Sequence, residues 1–104
     1  MRLYLIRHGK ARRQSPTGLD EDRSLAARGR EQAAWLGAEL REGENPPERL
    51  LSSPAARALE TAGLLGEGLG LEVEVEERLS LRTTASAVVE LIGSLEGVGA
   101  VALV

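Results

Sequence analysis

The 104-residue sequence predicts a three-layer α/β/α domain, in which a mainly parallel sheet is covered by helices on both faces. Short apolar segments alternate along the chain with longer segments whose apolar residues recur at helical spacing. Turn-forming residues separate the two kinds of segment, and neither an internal repeat nor a low-complexity tract interrupts them. Strands joined through helices pair in parallel, and such sheets bind ligands at the carboxyl ends of their strands.

Strands and helices alternate from the N-terminus onward. The expected strands cover about residues 2–6, 49–51, 71–75 and 99–104, and the expected helices about residues 25–41, 54–65 and 84–95. The first helix carries its apolar residues on one face: Ala33, Leu36, Gly37 and Leu40. Gly43 follows its end, and Trp35 lies off the apolar face. Trp35 is therefore free to face a partner or to pack at the edge of the domain, and we expect edge packing.

Capping residues and turn residues set the bounds of the later elements. Ser53 is a natural N-cap and Pro54 suits the first position of the second helix. Three glycines are expected to end that helix: Gly66, Gly68 and Gly70. Alternation of apolar residues with glutamates gives the third strand one wet face, which is typical of an edge strand. Thr84 caps the third helix, whose inward residues are Val88, Leu91, Ile92 and Leu95.

The tripeptide Arg7-His8-Gly9 directly after the first strand is the first candidate functional motif. Gly9 permits a sharp exit from the strand, which leaves a side chain at the carboxyl end facing an open crevice. His8 is the only histidine and the chain has no cysteine, so His8 is the main candidate for a covalent nucleophile. A neutral imidazole nitrogen can attack phosphorus while a neighbouring guanidinium holds the phosphoryl oxygens. The alternative is a strand-end histidine that is satisfied by backbone carbonyls.

The second motif surrounds Arg57, which falls in the first turn of the second helix, where the helix N-terminus favours an anion. The alternative is an arginine on a solvated helix face. Together with Arg7-His8-Gly9, the segment Ser53-Pro54-Ala55-Ala56-Arg57-Ala58 followed by Thr61-Ala62 resembles the signature of the histidine phosphatase superfamily, the phosphoglycerate-mutase-like enzymes, in order and in spacing.

Within that superfamily the chain is most similar to the small SixA-type phosphohistidine phosphatases. Their first motif reads R-H-G-x-A and is followed by D-x-x-R-x-L-x-x-x-G, which matches Arg7 to Ala11 and then Asp20, Arg23, Leu25 and Gly29. The resemblance implies the phosphoglycerate-mutase-like fold. It also implies that His8 is phosphorylated during turnover and that Arg7, Arg23 and Arg57 bind the phosphoryl group.

Two departures from the family pattern concern histidine and the proton donor. The family places a second histidine in a Gly-His motif just after a late apolar strand, and this sequence ends within such a strand at Val104. Because a terminal carboxylate on a buried strand is unfavourable, we expect the domain of residues 1–104 to be incomplete at its C-terminus. Larger members protonate the leaving group with a glutamate shortly after the third strand. Glu77 lies near that point, although the family frame places Ser80-Leu81 there, and a solvated carboxylate is the alternative role.

The composition describes an ordinary globular chain with 42% apolar and 28% charged residues. A formal charge of −3 argues against nucleic acid or an anionic membrane as a partner. Four basic residues near His8 either steer an anionic substrate or form a solvated loop: Arg7, Lys10, Arg12 and Arg13. The absence of cysteine suits a reducing cytoplasm, and the first apolar run is too short for a signal peptide or a membrane span.

The sequence therefore predicts a phosphatase that works through a phosphohistidine on His8, without a cofactor or a metal, because arginines supply the positive charge. We expect phosphohistidine on a protein as the substrate, since no insertion is long enough to form a lid over a small sugar phosphate. A P–N bond also has a better leaving group than an alkoxide and depends less on the missing acid. The alternatives are a phosphatase of the same superfamily that acts on a small phosphorylated metabolite, or a non-catalytic phosphate-binding module if the chain ends at Val104. The oligomeric state is left open.

Overall fold

The computed structural model describes residues 2–80 and 83–104, which form four parallel strands and three α-helices. The strands are β1 (Arg2–Leu5), β2 (Arg49–Ser52), β3 (Val73–Val75) and β4 (Ala100–Leu103). The helices are α1 (Ala27–Glu42), α2 (Ala56–Leu69) and α3 (Ala85–Ser94). The strand order is β1-β4-β2-β3, so the last strand of the chain lies between the first two.

Both faces of the sheet are covered. Successive side chains of a strand point to opposite faces, and Leu50 and Leu51 of β2 accordingly enter two separate apolar clusters. Leu50 packs with Leu65 of α2, whereas Leu51 packs with Leu91 of α3. The helix pair α1 and α2 therefore covers one face and α3 covers the other, which confirms the predicted three-layer α/β/α fold with a parallel sheet. No helix in the described ranges is both long enough and apolar enough to cross a bilayer.

Several predicted elements are confirmed with small shifts in their bounds. β3 is an edge strand, and β4 is buried along its whole length in the middle of the sheet. The hydroxyl of Thr84 accepts a hydrogen bond from the backbone N–H of Ala87 at 3.2 Å and caps α3 as expected. α1 begins later than predicted because Leu25 pairs in extended conformation with Ala11 and is fully buried outside the helix.

The predicted bounds of α2 are wrong at both ends. Ser53 does not cap the helix, because its hydroxyl accepts instead from the backbone N–H of Ala55 at 3.3 Å, and α2 begins only at Ala56. Gly66 and Gly68 lie inside α2, and only Gly70 ends it, in the left-handed region at φ 71°. The two inner glycines serve packing. A Cβ on Gly68 would lie 3.1 Å from the backbone of Gly37 in α1, so these helices approach more closely than larger residues allow.

Candidate active site

The carboxyl ends of β1 and β2 bring His8 and Arg57 together, as the sequence predicted. His8 follows β1 in the loop, and Arg57 lies in the first turn of α2, which begins shortly after β2. The Nε of Arg57 donates a hydrogen bond to Nε2 of His8 at 3.1 Å. Residues separated by 49 positions in the chain are thus in direct contact at the edge of the sheet where parallel α/β folds place their ligand sites.

The contacts of His8 define which of its nitrogens is available for chemistry. Nδ1 lies 2.7 Å from the backbone carbonyl of Gly9, which can only accept, so Nδ1 carries the proton. In the neutral ring Nε2 then holds a lone pair, in agreement with its acceptance of the Arg57 hydrogen bond. The backbone carbonyl of Gly9 therefore orients the ring so that the lone pair of Nε2 faces the guanidinium of Arg57.

Arg57 is held from three sides and is only 4% exposed. Besides the contact with His8, its Nη1 donates to the backbone carbonyl of Asp20 at 2.7 Å and its Nη2 donates to the Asp20 carboxylate at 2.9 Å. Asp20 belongs to a short 3-10 turn, Asp20–Asp22, that precedes α1. The buried cation is thereby paired, which removes the large cost of an isolated charge away from water.

Arg23 reaches the same carboxylate from the other side. Its Nε lies 2.9 Å from Oδ1 of Asp20 as an ion pair, although the N–H is not aligned for a hydrogen bond. Its Nη1 donates to the backbone carbonyl of Arg12 at 3.1 Å. Partial desolvation acts to raise the pKa of Asp20, but the charges of Arg57 and Arg23 and the hydrogen bond from Arg57 together outweigh it and hold that pKa below its ordinary value.

Arg7 and Glu77 occupy different surroundings. Arg7 is exposed beside His8 and lines the cavities on both sides of it, and its guanidinium has no ion-pair partner within residues 2–80 and 83–104. Glu77 lines a separate cavity with Ser53 and Glu21, at the start of α2, and not the cavities beside His8. Leu81, the other position where the family frame expects the acid, lies outside the described residues.

Thr61 holds the loop that carries His8 in place. The second sequence motif contains Thr61, but this role was not predicted from it. The backbone N–H of Gly9 donates to the Thr61 hydroxyl at 3.2 Å, and that hydroxyl donates to the carbonyl of Arg57 at 2.7 Å. The buried side chain of Thr61 therefore joins the loop that carries His8 to the first turn of α2, which carries Arg57. The Arg-x-x-x-Thr spacing on α2 could have indicated this role, because residues four apart lie on one face of a helix.

Gly9 allows a close contact between two backbone segments, and its φ is not positive. Its backbone lies against Gly29 in the first turn of α1, where a Cβ on Gly9 would come within 2.5 Å of the Gly29 carbonyl oxygen. A Cβ on Gly29 would meet the backbone of Lys10, with its nitrogen 2.7 Å away. The two glycines thus allow two backbones to touch, and this contact holds the His8 loop on α1.

An open cavity of about 550 Å³ extends from His8 along α1. Arg7, His8 and Thr61 line the cavity together with residues of α1 that include Arg28, Gln32 and Trp35. Trp35 is 65% exposed, so the predicted packing of this side chain at the domain edge is wrong. Its ring forms part of the wall of the cavity instead. No group of three potential metal-ligating side chains occurs in the described part of the chain. The guanidiniums of Arg57 and Arg7 lie beside His8.

Comparisons with known proteins agree with this geometry. The family model for the histidine phosphatase superfamily (branch 1) matches residues 3–81. The protein histidine phosphatase SixA, whose structure was solved with tungstate, is 28% identical, with a TM-score of 0.89 over 99% of this chain and 67% of that protein. A SixA protein from Agrobacterium tumefaciens is 25% identical, with a TM-score of 0.84 over 97% of this chain and 66% of that protein.

A further structural neighbour has a different activity in its name. A mycobacterial glucosyl-3-phosphoglycerate phosphatase is 24% identical, with a TM-score of 0.74 over 98% of this chain and 72% of that protein, and it shares the fold. None of the curated proteins matches the chain. The chain spans about two thirds of the length of the two SixA structures.

Proposed function

The chain belongs to the histidine phosphatase superfamily (branch 1), as its motifs predicted, and on this premise we propose that it is a phosphatase that works through a phosphohistidine on His8. The observation that carries the proposal is the orientation of the imidazole. Nδ1 is committed to the Gly9 carbonyl, and Nε2 presents its lone pair beside the guanidinium of Arg57. This arrangement suits in-line attack on phosphorus by a neutral ring.

In the first step of the proposed reaction, Nε2 of His8 forms a bond to phosphorus while the bond from phosphorus to the leaving group breaks. The lone pair of Nε2 then no longer accepts from Arg57, so the Nε–H of Arg57 becomes available to a phosphoryl oxygen. Arg7 and Arg23 add two further guanidiniums, and together the three cations stabilise charge on the oxygens in the transition state. The phosphorylated ring is cationic, which strengthens the donation from Nδ1 to the Gly9 carbonyl.

In the second step, water attacks phosphorus, the P–Nε2 bond breaks, and inorganic phosphate leaves with the oxygen of the water. Glu77 remains the candidate proton donor to the leaving group that its position after the third strand suggested, although it lines a neighbouring cavity with Ser53 and not the cavities beside His8. No metal or cofactor enters this reaction, because the arginines provide the positive charge. The proposed location is the cytoplasm, in keeping with a chain that has no cysteine.

For the substrate we propose phosphohistidine carried by a protein. Two of the structural neighbours are SixA proteins, one of them named a protein histidine phosphatase. A P–N bond also depends less on a proton donor, because an imidazole leaves more easily than an alkoxide. This suits the site, since Glu77 lines a neighbouring cavity and not the cavities beside His8. The exposed basic residues near His8 are compatible with a large acidic partner as well as with a solvated loop.

The second candidate is a small phosphorylated metabolite, and the cavity beside His8 favours it. Its volume of about 550 Å³ is within the range of small-molecule sites, and Trp35 and Arg28 add an aromatic ring and a cation to its lining. A panel with a phosphohistidine protein, a sugar phosphate and a nucleoside monophosphate would distinguish the candidates. Protein phosphohistidine should give the highest kcat/KM, and a clear preference for a phosphomonoester would support the second candidate.

The mechanism is tested by trapping the intermediate. A labelled phosphoryl donor, mixed with the protein and quenched within milliseconds, should leave an acid-labile and base-stable label on His8. His8→Ala should abolish both the label and turnover while the thermal midpoint changes little, since His8 is only half-buried. Arg41→Ala, at the exposed end of α1, is the matched control and should label normally. An acid-stable label on serine or threonine would rule out the mechanism.

A further inference from the structure

The carboxylate of Asp20 contacts two arginines of the site, Arg57 and Arg23. Oδ2 accepts from Nη2 of Arg57 at 2.9 Å, and Oδ1 lies 2.9 Å from Nε of Arg23. The backbone carbonyl of the same residue accepts from Nη1 of Arg57 at 2.7 Å. Asp20 therefore contacts two of the three guanidiniums that the proposed reaction uses, although it has no direct contact with His8.

Two guanidiniums held close together repel each other unless an anion lies between them. Before substrate arrives, the Asp20 carboxylate is that anion. The Arg57 side chain is 5% exposed and that of Arg23 is 28% exposed, so both cations are partly removed from water, whereas the Asp20 side chain is 58% exposed and remains hydrated. The carboxylate can thus stabilise the pair without a large desolvation cost of its own.

The charges also balance when the carboxylate stays in place. Arg7, Arg23 and Arg57 contribute three positive charges, and a phosphoryl group contributes about two negative charges at neutral pH. Asp20 supplies the remaining negative charge. If the Asp20 carboxylate moved away, the mostly buried Arg57 would lose its carboxylate partner. The turn itself would stay beside Arg57, because Nη1 of Arg57 also donates to the backbone carbonyl of Asp20.

We propose that Asp20 is a positioning residue, which sets the spacing and orientation of Arg57 and Arg23 for the phosphoryl group and remains bound to them during turnover. This inference rests on the proposed function. The opposite role is a placeholder anion, which occupies the empty site and is displaced by the substrate. The two roles predict opposite effects when the charge of Asp20 is removed, because a placeholder competes with the phosphoryl group and a positioning residue assists it.

The experiment measures tungstate affinity by calorimetry, together with kcat and KM. Asp20→Asn keeps the shape but removes the charge and turns one acceptor into a donor that faces an arginine. It should weaken tungstate binding and lower kcat/KM, each by about tenfold or more. Asp20→Glu should recover part of both losses. Glu21→Gln, which removes the neighbouring charge in the same exposed turn, should stay within about twofold of the wild type.

A double-mutant cycle with Arg23→Gln separates positioning from a merely structural role. If Asp20 acts through Arg23, the two substitutions together should cost clearly less tungstate affinity than the sum of the single losses. Additive losses, or tungstate binding by Asp20→Asn that equals or exceeds the wild type, would overturn the inference. If Asp20→Asn fails to fold, the tungstate affinity of Asp20→Glu is compared with that of the wild type instead. Weaker binding supports the inference, and equal or tighter binding overturns it. A wild-type chain that neither binds tungstate nor forms phospho-His8 would instead refute the proposed function, and the inference with it.

Discussion

Arg57 is the cation whose position the surrounding structure restricts most. Its guanidinium touches the imidazole of His8 and both the main chain and the carboxylate of Asp20, and the residue is 4% exposed. A planar fork with several donors is needed to satisfy these partners at once. The same donors face the nitrogen that is proposed to bond phosphorus, so binding and chemistry depend on one side chain.

Substitution of Arg57 should therefore affect both substrate binding and rate. We expect Arg57→Ala to lower kcat/KM by about 10²-fold or more, because an oriented charge contact in the transition state is lost. Arg57→Lys should recover only part of the activity, since an ammonium cannot reproduce the planar contact. Steady-state kinetics on the two variants and on Arg41→Ala would check this. Equal activity of Arg57→Ala and Arg41→Ala would assign Arg57 a structural role only.

At the scale of the elements, α1 packs on the loop that carries His8 through a contact between two backbone segments rather than between side chains. Gly9 and Gly29 lie in contact, and a side chain on either would enter the backbone of the other segment. Leu25, just before α1, strengthens the attachment because its N–H donates to the Glu60 carboxylate of α2 at 2.9 Å. The first turn of α1, the His8 loop and α2 thus form one packed unit around the site.

Two glycine-to-alanine substitutions in helices should consequently have opposite effects. Gly63 in α2 has open space around its missing Cβ, so Gly63→Ala should stabilise the protein by about 1 kcal/mol through helix propensity. In Gly29→Ala the Cβ would lie 2.7 Å from the Lys10 nitrogen, and this substitution should destabilise by about 1–3 kcal/mol. Urea unfolding of both variants measures the difference. Stabilisation by Gly29→Ala would show that the backbone contact is not needed.

The edge strand β3 is joined to β2 by a bidentate ion pair. Arg49 donates from Nε to Oε2 of Glu74 at 3.0 Å and from Nη2 to Oε1 at 2.6 Å. The hydrogen bond from Arg49 is the largest influence on the Glu74 carboxyl, and with the charge of Arg49 it lowers the pKa of that group despite partial desolvation. Because both side chains are substantially exposed, the pair contributes modestly, about 0.2–1 kcal/mol.

The stability contribution of Glu74 should depend on pH in a defined direction. A carboxyl whose pKa is lower in the folded state stabilises the protein above its ordinary pKa and loses that effect as the pH falls through the lowered value. Glu74→Gln should therefore be less stable than the wild type at pH 7, and the difference should shrink as the pH falls below the ordinary glutamate pKa of 4.5 and vanish below the lowered pKa of the folded state. Glu72→Gln, an exposed change beside the same strand, is the control. A difference that persists in acid would exclude the ion pair as its cause.

At the scale of the whole molecule, the sheet order determines what surrounds the site. β4 lies between β1 and β2, so its carboxyl end lies between the strand ends that lead to His8 and Arg57. The N–H of Ser53 donates to the Val104 carbonyl at 2.9 Å, which places Val104 beside the start of the second motif. The expected second histidine, in a Gly-His pair after Val104, stays a prediction.

The contribution of such a histidine can be measured by comparing two lengths of the protein. We expect residues 1–104 to bind tungstate through His8 and the arginines, which the described structure already brings together. Turnover should be much slower than that of a natural gene product that carries a Gly-His pair after Val104, because the family places this histidine opposite the nucleophile. Equal kcat/KM for the two lengths would show that His8 and the arginine cluster are sufficient.

Local patterns in the sequence were enough to predict much of this structure. Apolar periodicity located all seven helices and strands, and Thr84 was correctly identified as a cap. The placement of His8 and Arg57 at the same edge of the sheet followed from the alternation of strands and helices, which predicts parallel strands, whereas the insertion of β4 between β1 and β2 was not predicted. Errors arose where packing overrides local preference: Gly66 and Gly68 were predicted to end α2, but both lie inside it, Gly68 against the backbone of Gly37 in α1 and Gly66 against the backbone of Leu71.

The sequence by itself determined the fold class and singled out His8 and Arg57 as residues at the carboxyl edge of the sheet, since these depend on periodicity and short motifs. Only the tertiary structure decided that Asp20 holds Arg57 across 37 residues of chain, that Thr61 holds Gly9 across 52, and that Trp35 lines the cavity beside His8. Such contacts join segments that carry no mutual signal in a single sequence. They exist because the hydrophobic packing of three helices on a four-stranded sheet brings those segments together.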